Sequence, residues 1–353
     1  MLRFAVVGCG RIAKRHTDLL GENQIQGASL IAVADKTIGR AQMFGERFGI
    51  PSYSDMHEMM VREKPDVVTV LTESGNHARH VIELSKYGAH VVVEKPMALT
   101  ISDADAMIRS CDANGVKLFV VKQNRFNVPV VQLRKALEMG RFGKLVMGTV
   151  RVRWCRPQRY YDQDGWRGTW AYDGGVLTNQ ASHHIDLLEW MMGDIESVFA
   201  KSRTALVDIE AEDTAIVVLK FVNGALGVIE ATTATRPKDL EGSISILGES
   251  GSVEIGGFAV NEMKVWNFEN ELPADEDVLT KYSVNPPNVY GFGHKAYYDH
   301  VVECISNQRA ALIDGIAGRK SLELINAIYE SIETGQEVTM RFVPNYSRLG
   351  RGG

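Results

Sequence analysis

Leu2-Arg3-Phe4-Ala5-Val6-Val7-Gly8-Cys9-Gly10-Arg11-Ile12-Ala13 opens the chain, and its reading decides the fold. A compact apolar run with no polar alternation describes a strand buried on both faces of a parallel sheet. The pattern G-x-G-x-x-A follows directly and leads into a helical segment. Gly8 allows a tight turn, Gly10 lets a backbone approach a pyrophosphate, and Ala13 permits close helix–strand packing. The helix start, with Arg11 and Ile12, supplies N–H donors and a positive dipole end. Asp35 ends the next apolar run, about the ~20 residues on at which a carboxylate meets the adenosine ribose. That carboxylate repels a 2′-phosphate and so predicts NAD; Lys36 and Arg40 beside it keep NADP open.

Working outward, the first 125 residues alternate strands with helices. Leu2–Val7, Ser29–Asp35, Asp66–Leu71, His90–Val93 and Lys117–Val121 read as strands. Arg11–Leu20, Gly39–Phe48, Asp55–Arg62, His77–Tyr87 and Ser102–Asn114 read as the helices between them. This order implies right-handed βαβ units and a doubly wound parallel sheet of the Rossmann kind. After a helix over Val128–Met139 the pattern changes to successive strands: Leu145–Trp154, Val198–Arg203, Thr214–Phe221, Leu226–Thr233 and Ser243–Leu247, with shorter ones at Val253–Ile255 and Met263–Trp266. A helix over Gly174–Met192 interrupts them, and helices over His294–Ser306 and Ile316–Thr334 close the chain. The expectation is an α/β protein: a Rossmann domain over residues 1–125, then an α+β domain over 126–353 with a large, mainly antiparallel open sheet.

The bulk properties agree with two domains, since 353 residues exceed what one core usually supports. A net charge of −5 lacks the basic excess that non-specific nucleic-acid binding requires. Cys9, Cys111, Cys155 and Cys304 show no C-x-x-C pairing, which argues for no zinc site, no disulfide framework and a reducing compartment. The N-terminus carries no signal-peptide pattern, and no stretch reaches the ~18 apolar residues of a membrane span. A cytoplasmic protein with no membrane partner is expected.

Three further stretches carry chemistry. Glu94-Lys95-Pro96 follows the fourth strand, where the carboxyl ends of parallel strands face the ligand crevice. An ammonium there can orient a hydroxyl and stabilise alkoxide character as hydride leaves. In the run from Gly174 to Asp186, Asn179, His183 and Asp186 fall at i, i+4 and i+7 on one helical face. Imidazole titrates near neutrality, as the proton acceptor for an alcohol oxidation should. His184 points a quarter turn away and reads as structural or cofactor-adjacent. Between Arg151 and Trp170 the chain is rich in Arg, Trp and Tyr. Arg156, Trp166 and Arg167 are the substrate-binding candidates, because arginine forks bind carboxylate or phosphate and aromatic faces stack on rings.

Together these pieces resemble the glucose–fructose oxidoreductase / inositol dehydrogenase / rhizopine-catabolism (Gfo/Idh/MocA) family. The motifs carrying the resemblance are the N-terminal G-x-G-x-x-A, Thr72 followed by Asn76-His77, Glu94-Lys95-Pro96, Gln123-Asn124-Arg125-Phe126, Trp166-Arg167, Gly174-Gly175, His183 with Asp186, and Asp314-Gly315 before a helix with Glu330-Ser331. It implies that Lys95 bridges nicotinamide ribose and substrate, and that Thr72, His77 and Gln123 line the cofactor site beside Glu94. It also implies that the open sheet face forms homodimers or homotetramers. Many members carry Asp where this chain has Asn179, forming an Asp–His pair. An amide takes no proton, so base duty falls on His183 or Lys95, and an aspartate restored at 179 is expected to raise the imidazole's pKa. The family's sugar-nucleotide 3-dehydrogenases, acting on UDP-N-acetylglucosaminuronate, are similar in having Asn there. The resemblance therefore implies oxidation of a secondary hydroxyl of a nucleotide sugar or sugar acid, with Lys95, Asn179 and His183 at the substrate. The alternatives are a free polyol or hexose dehydrogenase of the myo-inositol type, and a non-catalytic NAD(P)-binding regulatory protein.

Overall fold

The computed structural model describes residues 1–284, 291–340 and 347–350. The chain forms two compact units, one of residues 1–122 with 294–322, the other of 123–293 with 323–353. The sequence reading placed everything after 125 in the second domain, whereas residues 294–322 pack with the first unit. Helical periodicity marks an apolar face but not which sheet or helix that face will meet.

In the first unit, β1 (Leu2–Val7), α1 (Ala13–Gly21), β2 (Ala28–Ala34), α2 (Ile38–Phe48), β3 (Ser52–Tyr53), α3 (Met56–Glu63), β4 (Val67–Val70), α4 (His77–Ser85), β5 (His90–Val93), α5 (Ile101–Ala113) and β6 (Leu118–Val120) alternate. Local chemistry places the helix starts. The Asp55 carboxylate accepts the His57 and Glu58 N–H groups at the head of α3, and Thr100 caps α5 through the Asp103 N–H. The six strands are all parallel, in the order β3-β2-β1-β4-β5-β6. This is the doubly wound order, whose reversal between β1 and β4 opens a crevice at their carboxyl ends.

The second unit begins with α6 (Val128–Glu138), β7 (Leu145–Arg153), the short α7 (Gln158–Tyr161) and α8 (Ser182–Met192). It continues with β8 (Ile195–Arg203), β9 (Thr214–Phe221), β10 (Leu226–Thr232), β11 (Glu241–Gly248), β12 (Gly251–Gly256), β13 (Glu262–Phe268) and α9 (Val278–Lys281). α10 (Gly293–Ser306) belongs with the first unit, α11 (Gly315–Thr334) begins there and ends in the second, and β14 (Val338–Thr339) is the last described strand. The eight-stranded sheet runs β13-β12-β11-β7-β10-β9-β8-β14 and is antiparallel except for the β7–β10 pair. One face buries Val150, Val152, Val217, Leu219, Ile229 and Ile244, with α8 packed on β7 and β11. A Cβ at Gly148 would lie 2.7 to 2.9 Å from Met192 and Leu188, so glycine there lets the helix sit against the strand. Leu188 is fully buried, and truncating it to alanine costs about 2–5 kcal/mol. The other face exposes Met147, Phe199, Ile216, Val218, Leu226 and Leu247. Cross-strand partners Leu247–Met147–Leu226 and Phe199–Val218 line up on it.

One helix starts later than periodicity predicts. The reading began it at Gly174, but residues 174–181 form turns and α8 starts at Ser182. Gly174 has φ +79°, and a Cβ at Gly175 would collide with Glu212. The paired glycines therefore serve close packing and a left-handed turn, not a helix.

Candidate active site

In the first unit the motif loop carries opposite demands on its two glycines. Gly8 has φ +95°, and a Cβ there would come within 2.8 Å of the Leu71 and Thr72 backbone. At Gly10 a Cβ would meet nothing within 4 Å. The protein's own atoms do not require glycine at 10, which fits the close approach of a dinucleotide pyrophosphate. Asp35 is held between two loops, one oxygen accepting the Cys9 N–H at 2.8 Å and the other the Thr37 N–H at 2.7 Å. Burial, then the Asp35 charge, pushes the Cys9 thiol up to about 12. Lys36, exposed, is drawn to Glu73 at 2.7 Å, and Arg40 is exposed on the first turn of α2. Arg11 is exposed, while Ile12 is the N-cap of α1, which begins at Ala13.

Lys95 leaves the carboxyl end of β5, half-buried and followed by a cis peptide to Pro96. Its N–H donates to Glu94 Oε2 at 2.8 Å. Glu94 is buried, with His16 Nε2 2.9 Å from its other oxygen, while His16 Nδ1 lies 2.6 Å from the Tyr298 hydroxyl. Burial raises the Glu94 pKa, but His16, His294 and Lys95 outweigh it and bring the group to about 2. Glu94 thus lies beneath the loop that carries Lys95. The ligand atoms of His16, Glu94 and His294 all lie within 4.8 Å of one another. No sequence spacing revealed this trio, because His294 arrives from the other end of the chain.

His77 is buried, its Nδ1 2.7 Å from the Pro96 carbonyl and its Nε2 3.0 Å from that of Thr72. Burial holds its pKa below the usual imidazole range, so the neutral ring donates to one carbonyl at a time. It ties two loops together from beneath. The Thr72 hydroxyl is 2.9 Å from His80 Nδ1.

In the second unit, His183 sits in the first turn of α8 and is buried. Its Nε2 lies 3.1 Å from the amide nitrogen of Gln123, so in this arrangement the amide donates and Nε2 accepts. Gln123, expected at the cofactor, thus addresses the imidazole. Asp186, one turn on, grips Arg125 with two bonds of 2.8 Å, and the guanidinium stacks on Trp190. Asp186 is therefore an ion-pair partner. Asn179 donates from its amide nitrogen to Asp173 at 2.6 Å, and Asp173's other oxygen accepts the Gly168 N–H at 2.9 Å. Asp173 was missed in the sequence; it precedes the glycine pair, and only the turn shows that it folds back onto Asn179. His184 is fully buried against Trp154, and burial brings its pKa down to about 3.

The aromatic–arginine segment is internally braced. Arg167 pairs with Asp164 at 3.0 Å, reaches the Tyr160 hydroxyl at 3.0 Å and lies over the half-buried Trp166 ring. Arg156 pairs with Asp239 at 2.9 Å between Trp154 and Tyr160.

Residues 2–122 match the family domain described as "Oxidoreductase family, NAD-binding Rossmann fold" (GFO_IDH_MocA), and residues 134–340 match its "C-terminal alpha/beta domain". The chain belongs to the Gfo/Idh/MocA oxidoreductase family. Within Gfo/Idh/MocA, it is 33% identical to the myo-inositol 2-dehydrogenase of Thermotoga maritima, covering 65% of this chain and 68% of that one. It is 24% identical to the scyllo-inositol 2-dehydrogenase (NAD(+)) of Bacillus subtilis, over 96% of both chains. Among solved structures, the WlbA dehydrogenase from Bordetella pertussis, in complex with NADH and UDP-GlcNAcA, superimposes with a TM-score of 0.89. Identity there is 41%, over 97% of this chain and 99% of that one. The WlbA dehydrogenase from Chromobacterium violaceum, in complex with the same two ligands, gives a TM-score of 0.91 and 43% identity over 97% and 96%. This Gfo/Idh/MocA chain is an NAD(P)-dependent oxidoreductase acting on CH–OH groups. Among the described residues no helix is long and apolar enough to cross a membrane.

Proposed function

We propose that this sugar or polyol oxidoreductase takes a nucleotide-linked sugar acid, of the UDP-N-acetylglucosaminuronate type, and oxidises a secondary hydroxyl on its ring. The observation that carries the reading is likeness at 41% and 43% identity, over nearly the whole chain, to two dehydrogenases solved with NADH and UDP-GlcNAcA. Asn179 and the arginine-rich 151–167 segment support it. The second reading, oxidation of a free polyol, is supported by the 33% likeness to a myo-inositol 2-dehydrogenase over 65% of the chain.

In this reading NAD, which the Gly8–Ala13 loop and Asp35 would hold, would supply the hydride acceptor. Asp35, fixed by two backbone N–H groups, receives the adenosine ribose hydroxyls and disfavours a 2′-phosphate. Lys95 donates to the hydroxyl under oxidation and stabilises its alkoxide character. His183 takes the proton at Nε2 once the Gln123 amide N–H has left that lone pair. A half-turn of the Gln123 amide presents its oxygen to the protonated ring, so one residue serves both charge states. Asn179 orients the hydroxyl, and Arg156 and Arg167 with Trp166 serve the acidic, phosphorylated part of the substrate. The apolar open sheet face around Met147, Val218 and Leu226 supports a homodimer or homotetramer, and four free thiols support a reducing cytoplasm.

The test is initial rates of NAD reduction with UDP-GlcNAcA against myo-inositol and free hexoses, followed by His183→Asn and its pH profile. UDP-GlcNAcA should be turned over with the highest kcat/KM. His183→Asn should abolish the limb rising through roughly pH 6–7 that an imidazole produces. Faster turnover of myo-inositol moves the assignment to the polyol reading, and an unchanged limb in His183→Asn moves base duty to Lys95.

A further inference from the structure

The contact that explains residue 179 lies within the second unit. Asp173 is buried, and its two oxygens accept from Gly168 N–H at 2.9 Å and from Asn179 Nδ2 at 2.6 Å. An ionised carboxylate only accepts hydrogen bonds. The Asn179 amide is therefore oriented by chemistry: its nitrogen faces Asp173 and its oxygen faces away. The same carboxylate closes the turn after Trp166-Arg167 through Gly168, which has φ +70°. One side chain thus ties the aromatic–arginine loop to the residue one turn before His183.

We propose that Asp173 is a positioning residue for Asn179: it turns the amide so that its oxygen serves as the acceptor for the substrate hydroxyl, and it bars an aspartate from position 179. This rests on the reading above that Asn179 addresses that hydroxyl. It also overturns the sequence-based expectation that Asn179→Asp simply restores an Asp–His pair. In this chain that substitution sets two carboxylates about as close as the present contact, within reach of the Arg167 guanidinium, the buried Glu212 and Tyr161; one cation among them leaves such a pair holding one proton between them. The reciprocal exchange avoids the clash. With Asp173→Asn and Asn179→Asp together, the new amide at position 173 keeps its oxygen on Gly168 N–H and donates its N–H to the new carboxylate at position 179. The bond is rebuilt with its direction reversed.

The experiment is a double-mutant cycle on the full chain with Asp173→Asn, Asn179→Asp and the double variant. Urea unfolding at pH 5 and pH 8 is measured without substrate or cofactor. The kcat, KM and pH profile are measured with whichever alcohol the unmodified protein oxidises. Asn179→Asp alone should lower kcat about 10- to 100-fold at pH 8, the scale of one charge-assisted bond. Relative to the unmodified protein, whose own stability falls over this range through Glu212, it should lose more stability at pH 8 than at pH 5, where the carboxylate pair keeps its proton. Asp173→Asn alone should lose turnover, because the Asn179 amide reverses and presents N–H to the hydroxyl. The double variant should regain stability at pH 8 and at least about 10-fold of the kcat lost in Asn179→Asp. Its rising pH limb should move upward, since a carboxylate at position 179 favours the charged imidazole.

If Asn179→Asp does not accumulate folded, recovery of folded protein in the double variant is the same rescue. A double variant no better than Asn179→Asp overturns the proposal, as does an Asn179→Asp variant with unmodified stability and pH profile. The stability arms separate the two readings: rescue there with inert UDP-sugars sinks only the substrate assignment. Turnover of UDP-GlcNAcA by the unmodified protein without rescue sinks only the role of Asp173.

Discussion

The buried pair of Arg125 and Asp186 offers the most quantitative test of how the second unit holds its catalytic candidate. Both side chains are buried, 8% and 2% exposed, and joined by two bonds of 2.8 Å. At that distance and an effective dielectric of ~20, the gross attraction is about 6 kcal/mol. Desolvation offsets much of this, so the pair's net worth is small, but removing one partner leaves the other charge buried and costs about 3–5 kcal/mol. Asp186→Leu should therefore lower the urea-unfolding free energy by about 3–5 kcal/mol, while Asp186→Leu with Arg125→Leu should recover at least half of the loss. Activity should fall with it. Arg125 and Gln123 belong to one short 3-10 turn, and Asp186 and His183 to one turn of α8, so loosening the pair loosens the Gln123–His183 contact. Equilibrium urea unfolding, followed by steady-state rates on the folded fraction, reads both effects. A loss below about 1 kcal/mol for Asp186→Leu, the scale of an exposed pair, would refute the reasoning.

The remaining predictions concern charge. Glu212 is fully buried, and burial, helped by the Asp173 charge, pushes its carboxyl up to about 7 from 4.5 against the bonds from Leu177 N–H and Tyr329. Because the folded pKa lies above the unfolded one, the native state keeps a proton that the unfolded chain has released. This contribution is full below about pH 4.5 and lost as pH rises through about 7, a total of roughly 3 kcal/mol. Glu212→Gln should flatten that slope in urea titrations at pH 5 to 8, and an unaltered slope would count against a protonated Glu212. Asp35→Ala should narrow the preference for NAD over NADP and weaken NAD about 10- to 100-fold, since Asp35 also holds the Cys9 N–H. Calorimetric titration with both cofactors checks this, and equal affinities in the unmodified protein would refute it. Lys95→Met should lower kcat by ~100-fold or more with little change in NAD affinity; the reverse pattern would make Lys95 a cofactor ligand only.

Much of the first unit was legible because its signals are local. The glycine motif, the Asp35 position and the apolar runs lie within single βα units, and their spacing follows from strand and helix geometry. The second unit was legible as a strand-rich region, since alternation in β9 and β10 marks one buried face. Less legible was the glycine pair, where a helical apolar pattern in α8 was extended back through turns that Glu212 packs against. His183 stood out by its own chemistry, but its partner Gln123 did not, because that contact spans 60 positions.

By itself the sequence determined the two-part architecture, the dinucleotide motif and the family, because these rest on periodicity and on residue types at short, fixed spacings. Only the tertiary structure decided which polar group each candidate meets: Asp173 on Asn179, Gln123 on His183, Arg125 on Asp186, and His16 with Tyr298 beneath Glu94. The physical reason is that a buried polar atom must find a partner, yet its choice depends on which elements pack around it. That choice turns on distances of a few ångströms between residues far apart in the chain. The same packing converts Asn179 from a departure from the commoner family pattern into the residue that Asp173 can accept.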